Sequence, residues 1–502
     1  MQALNIAIVV AYLVAMLGFG WWGKSRTRNA SDYLVAGRRL GPLLYTGTMA
    51  AVVLGGASTV GGVGLGYQYG ISGMWLVVAI GTGVLLLSLL FAPTIQKLKI
   101  YTVSQMLTLR YSHRATRVSG IVMLAYTLML CATSTGAYAT IFVVLFGWDR
   151  AVSIAVGGAI VLIYSTIGGM WSITLADMAQ FVIKTIGVFA LMLPFSLAAA
   201  GGFDGIAERA GDEFFSITGI GAQSIITYFV VYTLGLLIGQ DIWQRVFTSR
   251  TPEIARWGGA TAGVYCILYG VAGAVIGMSA SVILPAIESK DDVYADIALN
   301  VLPIGVGGLV LAAAVAAMMS TASGALIAAA TVARTDVVPF VAGWFGKGGG
   351  ERSSSEHDVA SSRWWVLGLG VVAIALAVAV QDVVAALTIA YDILVGGLLV
   401  AILGGLVWRR GNGVGAGASM AAGTLVTLGV MAYLEVTAEN QYDGIYANDP
   451  IYWGLGVSAL VYVAVSLGTR PTETGVMDAW DRRVAGDVPE DGRVGVPAGD
   501  AP

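Results

Sequence analysis

Ser320, Thr321 and Ser323 stand in the middle of a run, residues 308–334, that is otherwise almost wholly apolar and rich in alanine. At helical spacing Ala317, Ser320, Thr321 and Gly324 share one face. Two hydroxyl oxygens then lie beside residues small enough for another backbone to approach closely. A small desolvated cation takes oxygen ligands of this kind. The same hydroxyls would equally bond the carbonyl one turn back, as Ser and Thr do in many membrane helices. A second stretch bears on the choice. Residues 46–66 place six glycines between Gly55 and Gly66, and an interior helical glycine costs about 1 kcal/mol relative to alanine. Gly55, Gly56, Gly61, Gly62 and Gly64 therefore predict a helix that unwinds part-way, with close packing through a Gly-xxx-Gly face as the alternative. Unwound backbone is tolerated inside a bilayer only where it is buried or lines a cavity, and there its free carbonyls can hold an ion.

Two ionisable residues lie deep in apolar segments, Lys184 and Asp392. Each is costly in a bilayer and implies a partner or a task. They could neutralise one another, or Lys184 could pair with Asp177, seven residues earlier on the same face. Alternatively Lys184 would hold a solute carboxylate, Asp392 would hold a solute amine, or Lys184 would carry a proton in place of a metal cation. Thr133, Ser134, Thr135 and Tyr138 make a polar cluster that serves either interhelical packing or ligand contact.

The elements that must position these residues follow from composition. The chain has 502 residues, 57% hydrophobic and 11% charged, against about 25% charged for soluble domains. Such a chain cannot bury its apolar surface in one water-soluble core, and it reads as an all-α polytopic membrane protein. Apolar segments fall at 4–22, 42–67, 72–96, 116–146, 151–168, 174–200, 223–240, 257–285, 303–332, 364–380, 383–407, 413–435 and 450–468, which predicts thirteen transmembrane helices. Of 27 basic residues, all but Arg150, Lys184, Arg209 and Lys290 fall in loops of one parity or in the tail. The excess of positive charge marks the inner side, so the N-terminus is expected outside and the C-terminus inside. The opposite loops are acidic. No cleavable signal peptide is apparent. Cys131 and Cys266 sit in apolar stretches and read as two free buried thiols. Residues 346–363 read as a flexible inner loop, and 471–502 as a disordered cytoplasmic tail. The membrane domain is expected over 1–470.

An ordered set of motifs resembles the sodium:solute symporter family across roughly residues 4–470. It comprises Ala36-Gly-Arg-Arg-Leu-Gly41, Ser58-Thr-Val-Gly-Gly62, Tyr67-Gln-Tyr-Gly70, Tyr101-Thr-Val-Ser-Gln-Met-Leu107 and Arg110-Tyr-Ser112. Tyr164-Ser-Thr-Ile-Gly-Gly-Met-Trp171, Asp177-Met-Ala-Gln180, Gly239-Gln-Asp-Ile-Trp-Gln-Arg245 and Ser320-Thr-Ala-Ser-Gly324 follow in order. The resemblance implies a LeuT-type five-helix inverted repeat, with its core at about 42–407, and sodium as the coupling ion. By the family's pattern the sodium ligands would be the carbonyls of Ala51, Leu54 and Ala317 and the hydroxyls of Ser320 and Thr321. Asp177 matches the family's acidic residue near the inner end of the sixth helix. Val53 stands where the proline-transporting branch has an aspartate, so proline transport is not carried over. Tyr232 stands where the sugar branch has a sugar-contacting amide, and Gly235 replaces that branch's aromatic gate, so this is not a sugar site. Lys184, Tyr232, Asp392, Thr133 and Tyr138 remain the substrate-binding candidates. The expectation is sodium-coupled symport of a small organic solute, carboxylate or amino-acid-like, by alternating access in the cell membrane. Neither an enzymatic activity, an organic cofactor nor a nucleic-acid partner is expected. The alternatives are a proton-coupled transporter on the same fold and a solute sensor that does not transport.

Overall fold

The computed structural model describes residues 2–111, 117–287, 289–339, 355–380 and 382–487. Among them the protein is all helix, apart from a single β-bridge between Leu40 and Ser249. Among the described residues ten helices are long and apolar enough to cross a membrane, or up to eleven if the bent pair Ala222–Leu236 and Gln240–Thr248 counts as one span. Two of them are far longer than one crossing needs. Ala57–Lys97 has 41 residues and Arg150–Ala199 has 50, roughly 60 and 75 Å of helix, against a hydrocarbon core of about 30 Å. Each is interrupted by a glycine with left-handed φ, Gly70 at +63° and Gly169 at +58°, a conformation that residues with a Cβ rarely adopt.

Helix starts carry the expected chemistry. Asp149, Asp382 and Asn412 each accept a hydrogen bond from a first-turn amide, and Thr251 does the same ahead of Pro252. Such side chains satisfy the amides that a helix N-terminus leaves free. The two thiols, Cys131 and Cys266, are free and buried.

The helix Val306–Val332 is the axis of the molecule. Its apolar window is wholly buried, and it packs mainly against Arg117–Phe146, Arg150–Thr185 and the first helix, Gln2–Arg26. A helix buried on all sides needs no polar face, and alanines at 312–314, 316, 317 and 328–330 let its neighbours come close.

The tail departs from expectation. Thr474–Ala485 is helical, with Trp480 5% exposed and Arg483 donating to the Leu98 carbonyl at 3.0 Å. Trp480 and Arg483, with Met477 and Val484 packed on the core and Asp481 paired to Arg409, dock a segment whose composition is too polar to fold alone. Residues 488–502 lie outside the described residues. So do 340–354, which take in 346–354 of the expected inner loop, and the helix Ser355–Ala379 takes up the rest of that loop.

Candidate functional site

Helix Pro42–Val53 stops inside the protein. Its backbone leaves the helix at Leu54 (φ −94°, ψ 80°), and helical geometry resumes at Gly56. The reason is close approach. A Cβ on Gly56 would overlap that of Ala137, and one on Gly55 would stand 2.7 Å from Thr321 Oγ1 and 3.0 Å from Ser134 Oγ. The break is narrower than the glycine pattern predicts. Gly61, Gly62 and Gly64 are helical, within the π-turn Ala57–Gly61 and the α-helix Gly62–Tyr69. They serve packing instead: a Cβ on Gly62 would meet Val77 and one on Gly64 the Lys290 backbone.

A helix that ends leaves its last carbonyls without amides and carries a partial negative charge there. Buried in a membrane, such an end requires donors or a cation. Three side chains meet it. Lys184 Nζ donates to the carbonyls of Ala50 (2.9 Å) and Ala51 (3.0 Å). The Ser320 hydroxyl lies between the carbonyl oxygens of Ala51 (2.7 Å) and Ala317 (2.9 Å). Thr321 Oγ1 donates to the Val52 carbonyl at 2.5 Å. The structure thus gathers the oxygens of Ala51, Ala317, Ser320 and Thr321, with Leu54 at the break just beyond.

Asp177 lies one layer away. Its Oδ2 accepts from Thr48 Oγ1 at 2.5 Å and from Arg245 Nη2 at 3.0 Å, and both ion-pair partners are almost wholly buried. Removing one member of a buried pair typically costs 3–5 kcal/mol. The rest of the Gly239–Arg245 motif ties neighbouring segments together. Gln244 donates to the Leu34 carbonyl and to Thr331, and Gln240 bonds the backbone of Tyr101 and Val103. Lys184, Asp177 and Asp392 do not pair with one another: Asp177 pairs with Arg245, and Lys184 caps the helix end.

One cavity lies at the break and a second beyond it. One, about 20 Å³, is lined by Val53, Gly55, Ser58, Thr133, Asp241, Thr321 and Tyr391 among others. It has room for an ion or a water, not for an organic molecule. The other is a cleft of about 290 Å³ lined by Tyr228, Tyr232, Lys290, Thr388, Asp392 and Tyr446 among others. Asp392 is 1% exposed, and its Oδ1 has no hydrogen-bond partner among the described residues. The Tyr232 hydroxyl is 3.2 Å from Thr388 Oγ1. The Thr133 hydroxyl bonds the Met129 carbonyl on its own helix. Tyr138 packs on Gly157 and Phe142 and lines neither cavity.

Two residues escaped the sequence reading. Asp241, inside a quoted motif, accepts from Tyr126 at 2.8 Å and lines the small cavity. Tyr391 lays its ring on Gly235, stacks edge-on with Tyr232 (5.3 Å) and Tyr126 (5.6 Å), and so stands between the two cavities. Tyr391 thus fills the space that Gly235 leaves bare. Its place beside Asp392 was the only signal.

A discontinuous helix facing hydroxyls from a second helix, within a bundle of membrane-length helices, is the construction of secondary transporters. The family model "Sodium:solute symporter family" matches residues 33–423. The chain belongs to that family and is a multi-pass transport protein of the cell membrane. It is 25% identical to a sodium/proline symporter of Staphylococcus aureus over 495 residues, covering 92% of this chain and 93% of the relative. Its fold is similar to that of a sodium-coupled sialic acid symporter in a substrate-bound outward-open state (TM-score 0.78, 18% identity, 94% of this chain and 98% of that one). It is also similar to MhsT in complex with L-phenylalanine (TM-score 0.54, 11% identity, 86% and 98%).

Proposed function

We propose that this chain couples sodium movement to uptake of a small, amino-acid-like organic solute by alternating access. The observation that carries the reading is the carbonyl end of the Pro42–Val53 half-helix meeting Ser320 and Thr321 in the buried centre of the fold. Dividing the two over-long spans at Gly70 and Gly169 turns the eleven spans into thirteen. An odd number, with the basic residues on one side, places the N-terminus outside and the C-terminus inside.

In this reading the 290 Å³ cleft is the outer approach. It offers the Asp392 carboxylate to an amine and the Lys290 ammonium to a carboxylate, the complement of a zwitterion. Lys184 is committed to backbone carbonyls and supplies no solute contact. Tyr232 and Tyr391 separate the cleft from the small cavity and would have to part for solute to reach the helix break. The Asp177–Arg245 pair and the Gln240 and Gln244 contacts lie on the inner side and would hold that path shut.

Uptake of radiolabelled amino acids into proteoliposomes tests the reading. A sodium gradient should drive accumulation at least tenfold above a potassium control, and Asp392→Asn should weaken solute binding by roughly tenfold, the scale of one charge-assisted hydrogen bond. Binding without accumulation would make the chain a sensor and end the proposal.

A further inference from the structure

The cation end of the broken helix already holds a cation. Lys184 is wholly buried, and no carboxylate lies within ion-pair distance of its ammonium among the described residues. The nearby Asp177 is spent on Arg245 and Thr48. What compensates the charge is the backbone: two of its three N–H groups point at Ala50 and Ala51, the terminal carbonyls of a half-helix. Ala51 is also the carbonyl on which Ser320 donates, and its neighbour Val52 takes Thr321. The ammonium therefore stands on the same oxygen that joins the two halves of the expected ion shell.

We propose that Lys184 is a built-in cation for this site, whose ammonium takes the place of the coupling ion and excludes sodium for as long as it rests on Ala50 and Ala51. The proposal rests on reading this helix end as the ion site. A sodium ion on the Ala51 carbonyl and an ammonium on the same oxygen would stand within about 5–6 Å of each other. No anion lies between them, and the surroundings are too dry to screen them. The hydroxyls add a second conflict. Thr321 turns its proton toward Val52, and Ser320 has one proton for the carbonyls of Ala51 and Ala317; around sodium both hydroxyls would have to point their protons away and offer lone pairs instead. With the lysine in place, the helix end has its positive charge and its donors without a metal. Sodium entry then requires the Lys184 side chain to leave.

Sodium binding measured directly on the purified full-length chain tests this, with radioactive sodium as the probe and choline as the replacement cation. Lys184→Met keeps the side chain's length and removes its charge, and Lys184→Gln keeps a donor for one carbonyl. Gel filtration establishes that each is folded, and the glutamine variant carries the test if the methionine variant is not. The expected result is sodium affinity at least tenfold higher in the neutral variants than in the wild type, with the gain lost when Thr321→Ala is added. Equal affinity in wild type and variants overturns the lysine proposal and leaves sodium coupling standing. Binding in the variants alone upholds the lysine proposal and overturns sodium coupling in the wild type. No binding in any of them overturns both. A gain that survives Thr321→Ala places the ion elsewhere and overturns the lysine proposal.

Discussion

Among the described residues the one side chain that donates to the Val52 carbonyl is Thr321, whereas the Ala51 carbonyl meets both Ser320 and Lys184. The two hydroxyls, adjacent in sequence, therefore differ in what their loss exposes. Thr321→Ala strands a buried carbonyl, at a cost of about 1–3 kcal/mol, while Ser320→Ala leaves Ala51 still capped. We expect Thr321→Ala to unfold several degrees earlier than Ser320→Ala in detergent, and Thr321→Ser to restore the wild-type value. Equal losses in the two alanine variants would mean that the hydroxyls are not capping these carbonyls. The pair was legible in the sequence because helical spacing alone puts both on one face. The partners of Lys184 were not. They are backbone atoms about 130 residues away, exposed only because another helix stops, and no side-chain pattern announces that. Asp177 was readable as important, but its partner Arg245 sits in a motif of its own and meets it only through the fold.

At the scale of elements, the glycine-rich helix was recognisable as unusual but its break was read too broadly. Glycine answers two needs with one signature. At Gly55 and Gly56 it admits neighbouring helices to a point where the backbone turns out of the helix, and from Gly61 onward it admits them to a helix that continues. Spacing cannot separate these, because both needs arise from close contact. The structure ranks them. A methyl group on Gly56 would overlap Ala137, whereas one on Gly61 would stand 3.1 Å from Val384 Cγ2, a tight contact that a small shift of that side chain relieves. Gly56→Ala should cost about 1–3 kcal/mol through overpacking and lower the yield of monodisperse protein. Gly61→Ala should cost less than Gly56→Ala, because the gain in helix propensity offsets the small shift it asks of Val384. Unfolding temperatures of the two variants in detergent check the order, and its reversal would refute the placement of the break. The left-handed turns at Gly70 and Gly169 were invisible amid so many glycines, although the segments they divide were read as separate spans.

For the molecule as a whole, the proposed orientation has the acidic loops outside, among them the loop that carries Asp291. That carboxyl is pushed up to about 6, first by burial and then by the negative charge of Asp382, and its Oδ1 has no hydrogen-bond partner among the described residues. A carboxyl whose pKa is raised on folding binds its proton more tightly in the folded state. Its stabilising contribution is therefore full below about pH 4 and is lost as pH rises through 6, by up to about 3 kcal/mol. Asp291→Asn removes the titration, so the variant should gain stability over the wild type at pH 8 and lose that advantage at pH 4. Unfolding temperatures across that range check it, and a pH-independent difference would contradict it. The tail was misjudged because composition measures what a segment can bury by itself, not what a neighbour can bury for it. Trp480 walls a cleft together with Phe91, Arg110 and Trp408, and Arg483 reaches Leu98. A chain cut after residue 470 is thus not a trimmed version of the same protein. It is one with an open seam, a cleft that has lost the wall which the helix Thr474–Ala485 supplied.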